Sequence, residues 1–278
     1  MAISRFATLS EVTLHYREAG EGEVLVLLHD CPQTSHAWRH VMPRLASQVR
    51  VIAPDLRGLG DSSRPLDGFD IGTLAGDILE LLDRLGVPEF SVAGHGHGGA
   101  VGVAMACLAR NRINRLALID AVLPGQSRSE SARWHEDFHR VPNLPEALTA
   151  GREAIYLGWL YEALSLRGGA VGPDDLVEYT RCYQQPGSMR CCFDYDRSHD
   201  VSAAFLRTHL EWDGRLALPV LSVAGGAAPG RAGDAEDSIG RIASDVRPHI
   251  IPDCGHLIPE EAAEEISELL SAFLFASR

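Results

Sequence analysis

Continuous apolar runs separated by helical stripes fill the first half of the chain. Val24-Leu25-Val26-Leu27-Leu28 shows no polar alternation, as expected of a parallel strand covered on both faces. Residues 36–46 read as a helix, and Val49-Arg50-Val51-Ile52-Ala53 as the next strand, stopped by Pro54. Across residues 73–85, apolar side chains at Leu74, Ile78, Leu81, Leu82 and Leu85 mark one helical face. Phe90-Ser91-Val92-Ala93 predicts a strand, followed by a glycine-rich turn at 94–99 and a small-residue helix to Ala109. Leu116-Ala117-Leu118-Ile119 predicts another strand.

The alternation stops near Pro124. From there to about Asp213 the chain gathers most of its aromatics, among them Trp134, Phe138, Tyr156, Trp159, Tyr161, Tyr179, Tyr183 and Tyr195, in helical patterns. Strand and helix resume with Val220-Leu221-Ser222-Val223-Ala224, a last strand at 247–251 and a final amphipathic helix at 260–275. This pattern predicts an α/β domain with a mostly parallel central sheet flanked by helices, formed by residues 1–123 and 214–278, and a helical cap inserted at 124–213. In such sheets ligands bind beyond the carboxyl ends of the strands. Those ends carry His29-Asp30, Asp55, the glycine turn, Asp120, Gly225-Gly226 and Cys254-Gly255-His256, so the chemically suggestive residues share one rim. The cap is expected to roof it, although packing on the core accounts for most individual aromatics.

Composition narrows the partners. The 278 residues carry 25 Lys+Arg against 38 Asp+Glu, a net charge of −13. Polyanion binding relies on clustered cations, so nucleic acid is not expected as a partner. No window approaches the ~18 apolar residues of a membrane span, and the start Met1-Ala2-Ile3-Ser4-Arg5-Phe6 lacks the apolar stretch of a secretory signal. A cytoplasmic location is expected, and a homodimer is compatible with the sequence. The six cysteines, Cys31, Cys107, Cys182, Cys191, Cys192 and Cys254, show no C-x-x-C spacing and are expected to be reduced, with no metal.

Gly94-His95-Gly96-His97-Gly98-Gly99 fits two templates. As G-x-G-x-x-G after a strand, with Asp120 ending the next one, it matches a dinucleotide fingerprint. It equally fits the sharp strand-to-helix turn that lifts a nucleophile above a sheet, with Gly96 at the nucleophile position. Other segments favour the second template. His29-Asp30-Cys31-Pro32 with Trp38-Arg39 resembles the HGxP…WR segment of epoxide hydrolases and their haloalkane dehalogenase relatives. Pro54-Asp55-Leu56-Arg57-Gly58-Leu59-Gly60-Asp61-Ser62 is similar to their PDLRGxGxS loop, and Val92 to Gly99 to their VGHDWGG turn. Pro252-Asp253-Cys254-Gly255-His256 resembles their catalytic-histidine loop. The segments recur in family order over nearly the whole chain, which implies the α/β-hydrolase fold.

That resemblance implies an aspartate nucleophile where this chain has Gly96, glycine where it has Asp30, and a cap tyrosine where it has Asp196. The acid that usually orients the histidine is also missing after Val220–Ala224, with Asp234 the first carboxylate beyond. What remains is His256 as a general base, neutral near pH 7, with Asp120 placed to orient it. By the same resemblance, backbone N–H groups of Cys31 and His97 would form the oxyanion hole. Asp30, beside that hole, is a third catalytic candidate. Trp38, His97, Trp159, Tyr183, Tyr195 and Asp196 are expected to face the substrate.

The expected function is cofactor-free, non-covalent acid–base catalysis by His256 on a small, largely apolar cyclic molecule: a lyase, cyclase or isomerase, or direct water addition. Three alternatives stand beside it. One is a dioxygenase-like enzyme using an Asp–His dyad without cofactor, another an inactive ligand-binding homologue. The third is ordinary hydrolysis through an unrecognised nucleophile, with Ser62, Cys31 and Asp30 as candidates.

Overall fold

A computed structural model of the protein describes residues 2–121, 123–126, 134–166, 168–228 and 238–275. Eight strands form one sheet in the order β1-β2-β4-β3-β5-β6-β7-β8. β1 (Ile3–Thr8) and β2 (Thr13–Ala19) make an antiparallel edge, and β2 pairs antiparallel with β4 (Arg50–Pro54). From β4 onward every pairing is parallel, through β3 (Val24–Leu28), β5 (Phe90–His95), β6 (Ile113–Ile119), β7 (Leu216–Gly225) and β8 (Ala243–Ile251).

The apolar run of β3 is explained by its two faces. Val26 and Leu28 join a core with helices α2 (Ile71–Arg84) and α3 (His97–Leu108), while Leu25 and Leu27 pack on the other side. That second side is closed by α1 (Met42–Leu45), the short α10 (Ile258–Glu261) and α11 (Ala263–Leu274). The helix expected at 36–46 is a 3₁₀ turn at Ser35–Trp38 followed by α1. Pro43, lacking an N–H, suits the first turn of α1 and cannot continue an earlier helix. The helix expected at 260–275 is likewise two pieces, and the edge hairpin β1–β2 precedes the first expected strand.

Between β6 and β7 stand α4 (Trp134–Arg140), α5 (Leu144–Thr149), α6 (Glu153–Leu164), α7 (Pro173–Tyr183), α8 (Ser188–Arg197) and α9 (His199–Asp213); α9 packs on α2 and α3, and the helices before it are called the cap. Buried tyrosines bolt it to the rim. Tyr183 donates to the Gln33 carbonyl (2.9 Å), Tyr195 to the Arg57 carbonyl (2.8 Å), and Tyr161 to the Pro32 carbonyl. Burial lifts all three phenols above their ordinary range, so each remains a donor.

The loop after β4 is built around a buried carboxylate. Asp55 accepts from the N–H groups of Ser35 (2.7 Å) and Asp61 (2.9 Å) and pairs with His15 (2.7 Å). Burial opposes ionisation, but these partners outweigh it and hold Asp55 far below the usual carboxylate range. Its contribution to stability is therefore present above the ordinary carboxylate pKa and is lost as pH falls towards the depressed one.

Candidate functional site

β3 and β5 are sheet neighbours, with Leu28 opposite Gly94, while β4 lies on the far side of β3. Their carboxyl ends therefore form a switch point, where the connections leave in opposite directions and open a crevice. Asp30 follows β3 and Gly96 follows β5. His29 fixes the first turn: its Nδ1 donates to the Asp30 carbonyl (2.7 Å) and its Nε2 accepts from Leu56 N–H (3.0 Å). Gly96 has φ +52°, which strains residues bearing a Cβ.

The Asp30 carboxylate turns into the space above Gly96. A Cβ at Gly96 would fall within 3.0 Å of Cγ and both oxygens of Asp30. Oδ1 accepts from His97 N–H (2.7 Å) and from His97 Nδ1 (2.8 Å), and Oδ2 accepts from His256 Nε2 (2.7 Å). On its other side, His256 Nδ1 donates to Asp120 Oδ2 (2.5 Å). Asp120 itself is held at φ +42°, with its N–H on the Val223 carbonyl (2.7 Å). An Asp30–His256–Asp120 line thus runs along the carboxyl ends of β3, β5 and β6.

Charges follow from these contacts. Burial disfavours ionised Asp30, but hydrogen bonds from His256 and His97 outweigh it and hold the group well below the ordinary carboxylate range. Burial pulls His256 down, yet bonds to Asp120 and Asp30 win and raise it to about 9. His256, expected as a neutral base near pH 7, is instead held as an imidazolium by Asp120 and Asp30. His95 lies 4.7 Å from it ring to ring, donates Nε2 to the His256 carbonyl (2.8 Å) and pairs Nδ1 with Gln33 (3.0 Å). Burial, then the charge on His256, lowers His95 to about 4, so it is neutral.

The cap closes the other side of His97. Its Nε2 lies 3.5 Å from Asp196 Oδ1, and Asp196 Oδ2 accepts from His139 Nδ1 (2.6 Å). His139 Nε2 in turn accepts from the Tyr156 hydroxyl (2.5 Å). Neither His139 nor Tyr156 was among the residues read as functional. The available signal was Asp196 itself, a carboxylate on an otherwise buried helical face that must find cationic or donor partners.

Other expected site residues have different places. Trp38 is fully buried in the core with Leu25 and Ile258, and Trp159 is half exposed, edge-on to Trp134 at 5.2 Å. Tyr183 and Tyr195 anchor the cap, although the Tyr195 ring also meets His97 edge-on at 5.7 Å. The His97 N–H expected in an oxyanion hole is taken by Asp30. The sulfurs of Cys31 and of Cys192 in α8 face each other where the Asp30 loop meets the cap. Ser62 is fully buried and donates to the Asp55 carbonyl (2.7 Å). Of the three candidate nucleophiles, Asp30 alone reaches His256. Asp234 lies outside the described residues.

Asp30, His95 and His256 each offer a ligand atom within 4.8 Å of the others. The ring nitrogens of both histidines are already bonded within the protein, so a metal would have to break those bonds.

Fold and strand-end site together place the chain in the α/β-hydrolase family, whose model, described as the alpha/beta hydrolase fold, matches residues 23–263. Among its relatives is the soluble epoxide hydrolase of Corynebacterium sp. strain C12, 33% identical over 96% of this chain and 95% of that protein. A fluoroacetate dehalogenase of Burkholderia sp. is 29% identical over 80% of this chain and 77% of its own length. The crystal structure of wild-type Cfl2 from Burkholderia cenocepacia superposes with a TM-score of 0.91 at 36% identity, covering 97% of this chain and 95% of that one. Among the described residues no helix is long and apolar enough to cross a membrane.

Proposed function

We propose that the protein is a hydrolase that opens an electrophilic carbon, in an epoxide or an alkyl halide, through an ester on Asp30. The observation that supports this reading is the overlap of the Asp30 carboxylate with the side-chain space above Gly96. Position 30 delivers from β3 the group that the resemblance places at 96, and it does so ionised, hydrogen-bonded to His256 and seated on the His97 N–H.

In the first step a carboxylate oxygen of Asp30 attacks carbon, and the carbon–oxygen or carbon–halogen bond breaks with its electron pair going to the leaving atom. Esterification removes the negative charge beside His256. Its raised pKa then falls, because one of the two groups holding its proton is gone. His256 gives up that proton to solvent, and the neutral imidazole then takes one from water as the hydroxide adds to Cγ of Asp30. His97 N–H is placed to stabilise the oxyanion that forms on Oδ1. Collapse of that intermediate expels the alkoxide, which carries away one Asp30 oxygen and takes the proton of the new Cγ hydroxyl, leaving an alcohol and the carboxylate.

A second reading retains non-covalent chemistry: Asp30 and His256 together move protons for an elimination, a ring closure or direct water addition. The three hydrogen bonds on Asp30 favour it, since they lower the carboxylate's nucleophilicity. Trapping separates the two. With His256→Gln, styrene oxide and benzyl chloride are expected to leave a persistent adduct on the peptide containing Asp30, located by mass spectrometry. An unmodified Asp30 under conditions where the wild-type protein converts either probe would contradict the covalent reading.

A further inference from the structure

Opening an epoxide leaves an alkoxide that needs a proton, whereas a departing halide does not. The tyrosine that the resemblance assigns to this task is replaced by Asp196, an acceptor at neutral pH. We propose that His97 is the acid of this site, giving its Nε2 proton to the oxygen leaving carbon, and that Asp196, His139 and Tyr156 are the positioning chain that holds and recharges it. The inference rests on the covalent reading above and names the acid half of that chemistry.

Three observations carry it. First, His97 reaches both sides of the reaction: Nδ1 is bound to the proposed nucleophile at 2.8 Å, while Nε2 faces Asp196 at a loose 3.5 Å. The loosely held proton is the one free to turn to a substrate oxygen. Second, exposure is graded along the site. The side chains of Asp120, His256, Asp30 and Asp196 are 0%, 2%, 7% and 9% exposed, against 32% for His97. A substrate entering from solvent therefore meets His97 first. Third, the chain behind it is complete: Tyr156 donates to His139, His139 donates to Asp196, and Asp196 faces His97, linking helices α6, α4 and α8 to the first residue of α3.

The groups facing His97 are Asp30 from the β3 loop, Asp196 and Tyr195 from α8, with His256 beyond Asp30 and His139 beyond Asp196. Burial alone lowers the imidazole, but Asp196 and Asp30 more than compensate and hold it well above its ordinary value. Proton balance is then complete. The alkoxide takes the Nε2 proton, neutral His97 regains from solvent the proton that His256 released on esterification, and the proton His256 then takes from water restores its imidazolium.

The test compares kcat/KM for styrene oxide and benzyl chloride in wild type, His97→Gln and Asp196→Asn. His97→Gln is expected to lower the epoxide value by about 100-fold or more, the usual worth of a general acid, and the chloride value by only a few-fold. Asp196→Asn should show the same bias more weakly. ¹⁵N-imidazole spectra give a second readout: His97 is expected to titrate well above a free imidazole, and lower in Asp196→Asn than in wild type. Equal losses on both probes, or a His97 neutral at pH 7 in wild type, overturn the inference while leaving the Asp30 ester in place. Absence of any adduct on Asp30 overturns the covalent reading and this inference with it.

Discussion

Exchanging the residues at 30 and 96, as the double variant Asp30→Gly/Gly96→Asp, is expected to restore activity that each single change abolishes. Asp30→Gly removes the proposed nucleophile and should cost at least about 10⁴-fold in kcat, the scale on which essential groups of a catalytic unit act. Gly96→Asp alone puts a second carboxylate into space the first already fills. It combines overlap, like-charge repulsion and a side chain at φ +52°, and backbone strain of that kind costs about 1–3 kcal/mol by itself. The single variant should be inactive and melt well below wild type. In the double variant the overlap and repulsion vanish, and a carboxylate again stands between the His97 N–H and His256. Activity towards the two probes at least about ten times that of either single variant is the expected non-additivity of groups sharing one space. A double variant no better than the worse single change would mean that the two positions are not interchangeable sources of one carboxylate.

Asp120→Asn should separate the two steps. Asp30 remains ionised and placed, so ester formation is expected to fall by less than about tenfold, while hydrolysis of the ester falls by about 10³–10⁴. In the ester state Asp120 is the remaining anion that stabilises an imidazolium on His256; an amide can present N–H to Nδ1 and fix the wrong tautomer. The adduct should accumulate in intact-mass spectra of turning-over enzyme, and benzyl chloride should give a burst of chloride close to one equivalent. The same change has a stability signature. His256 is raised to about 9 in the folded protein, above its ordinary value near 6.5. Its ion pairs therefore stabilise the fold fully below about pH 6.5, and that stability is lost as pH rises towards 9. Asp120→Asn should flatten this alkaline slope in melting curves taken from pH 6 to 10. Equal loss of both steps, or an unchanged slope, would count against the assigned role.

Much of the fold was legible because burial on both faces of a parallel strand leaves uninterrupted apolar runs, as at Val24–Leu28. The helix read at 36–46 failed because its apolar residues serve a 3₁₀ turn and a separate four-residue helix divided ahead of Pro43. In the site, Asp30, Asp120 and His256 could each be named from strand ends. The pairing of Asp120 with His256 was expected; that Asp30 turns in to join them was not, since it depends on the turn that His29 pins and on the missing Cβ at Gly96. His139 and Tyr156 escaped notice for a related reason. Each sits on its own cap helix, and contacts between separate helices leave no period in the sequence. Tyr183 and Tyr195 were read as substrate contacts because an aromatic that bolts a cap to a rim has the same sequence signature as one that lines a pocket.

The covalent role of Asp30 is tested most directly by where the oxygen of water goes. Wild-type enzyme in large excess over styrene oxide would complete one turnover in H₂¹⁸O, and the diol and the peptide containing Asp30 would then be weighed. An Asp30 ester hydrolysed at Cγ predicts ¹⁸O in the Asp30 carboxylate and an unlabelled first-turnover diol. Label in the diol with none in Asp30 would contradict the ester and leave His256 and Asp30 as a non-covalent acid–base pair.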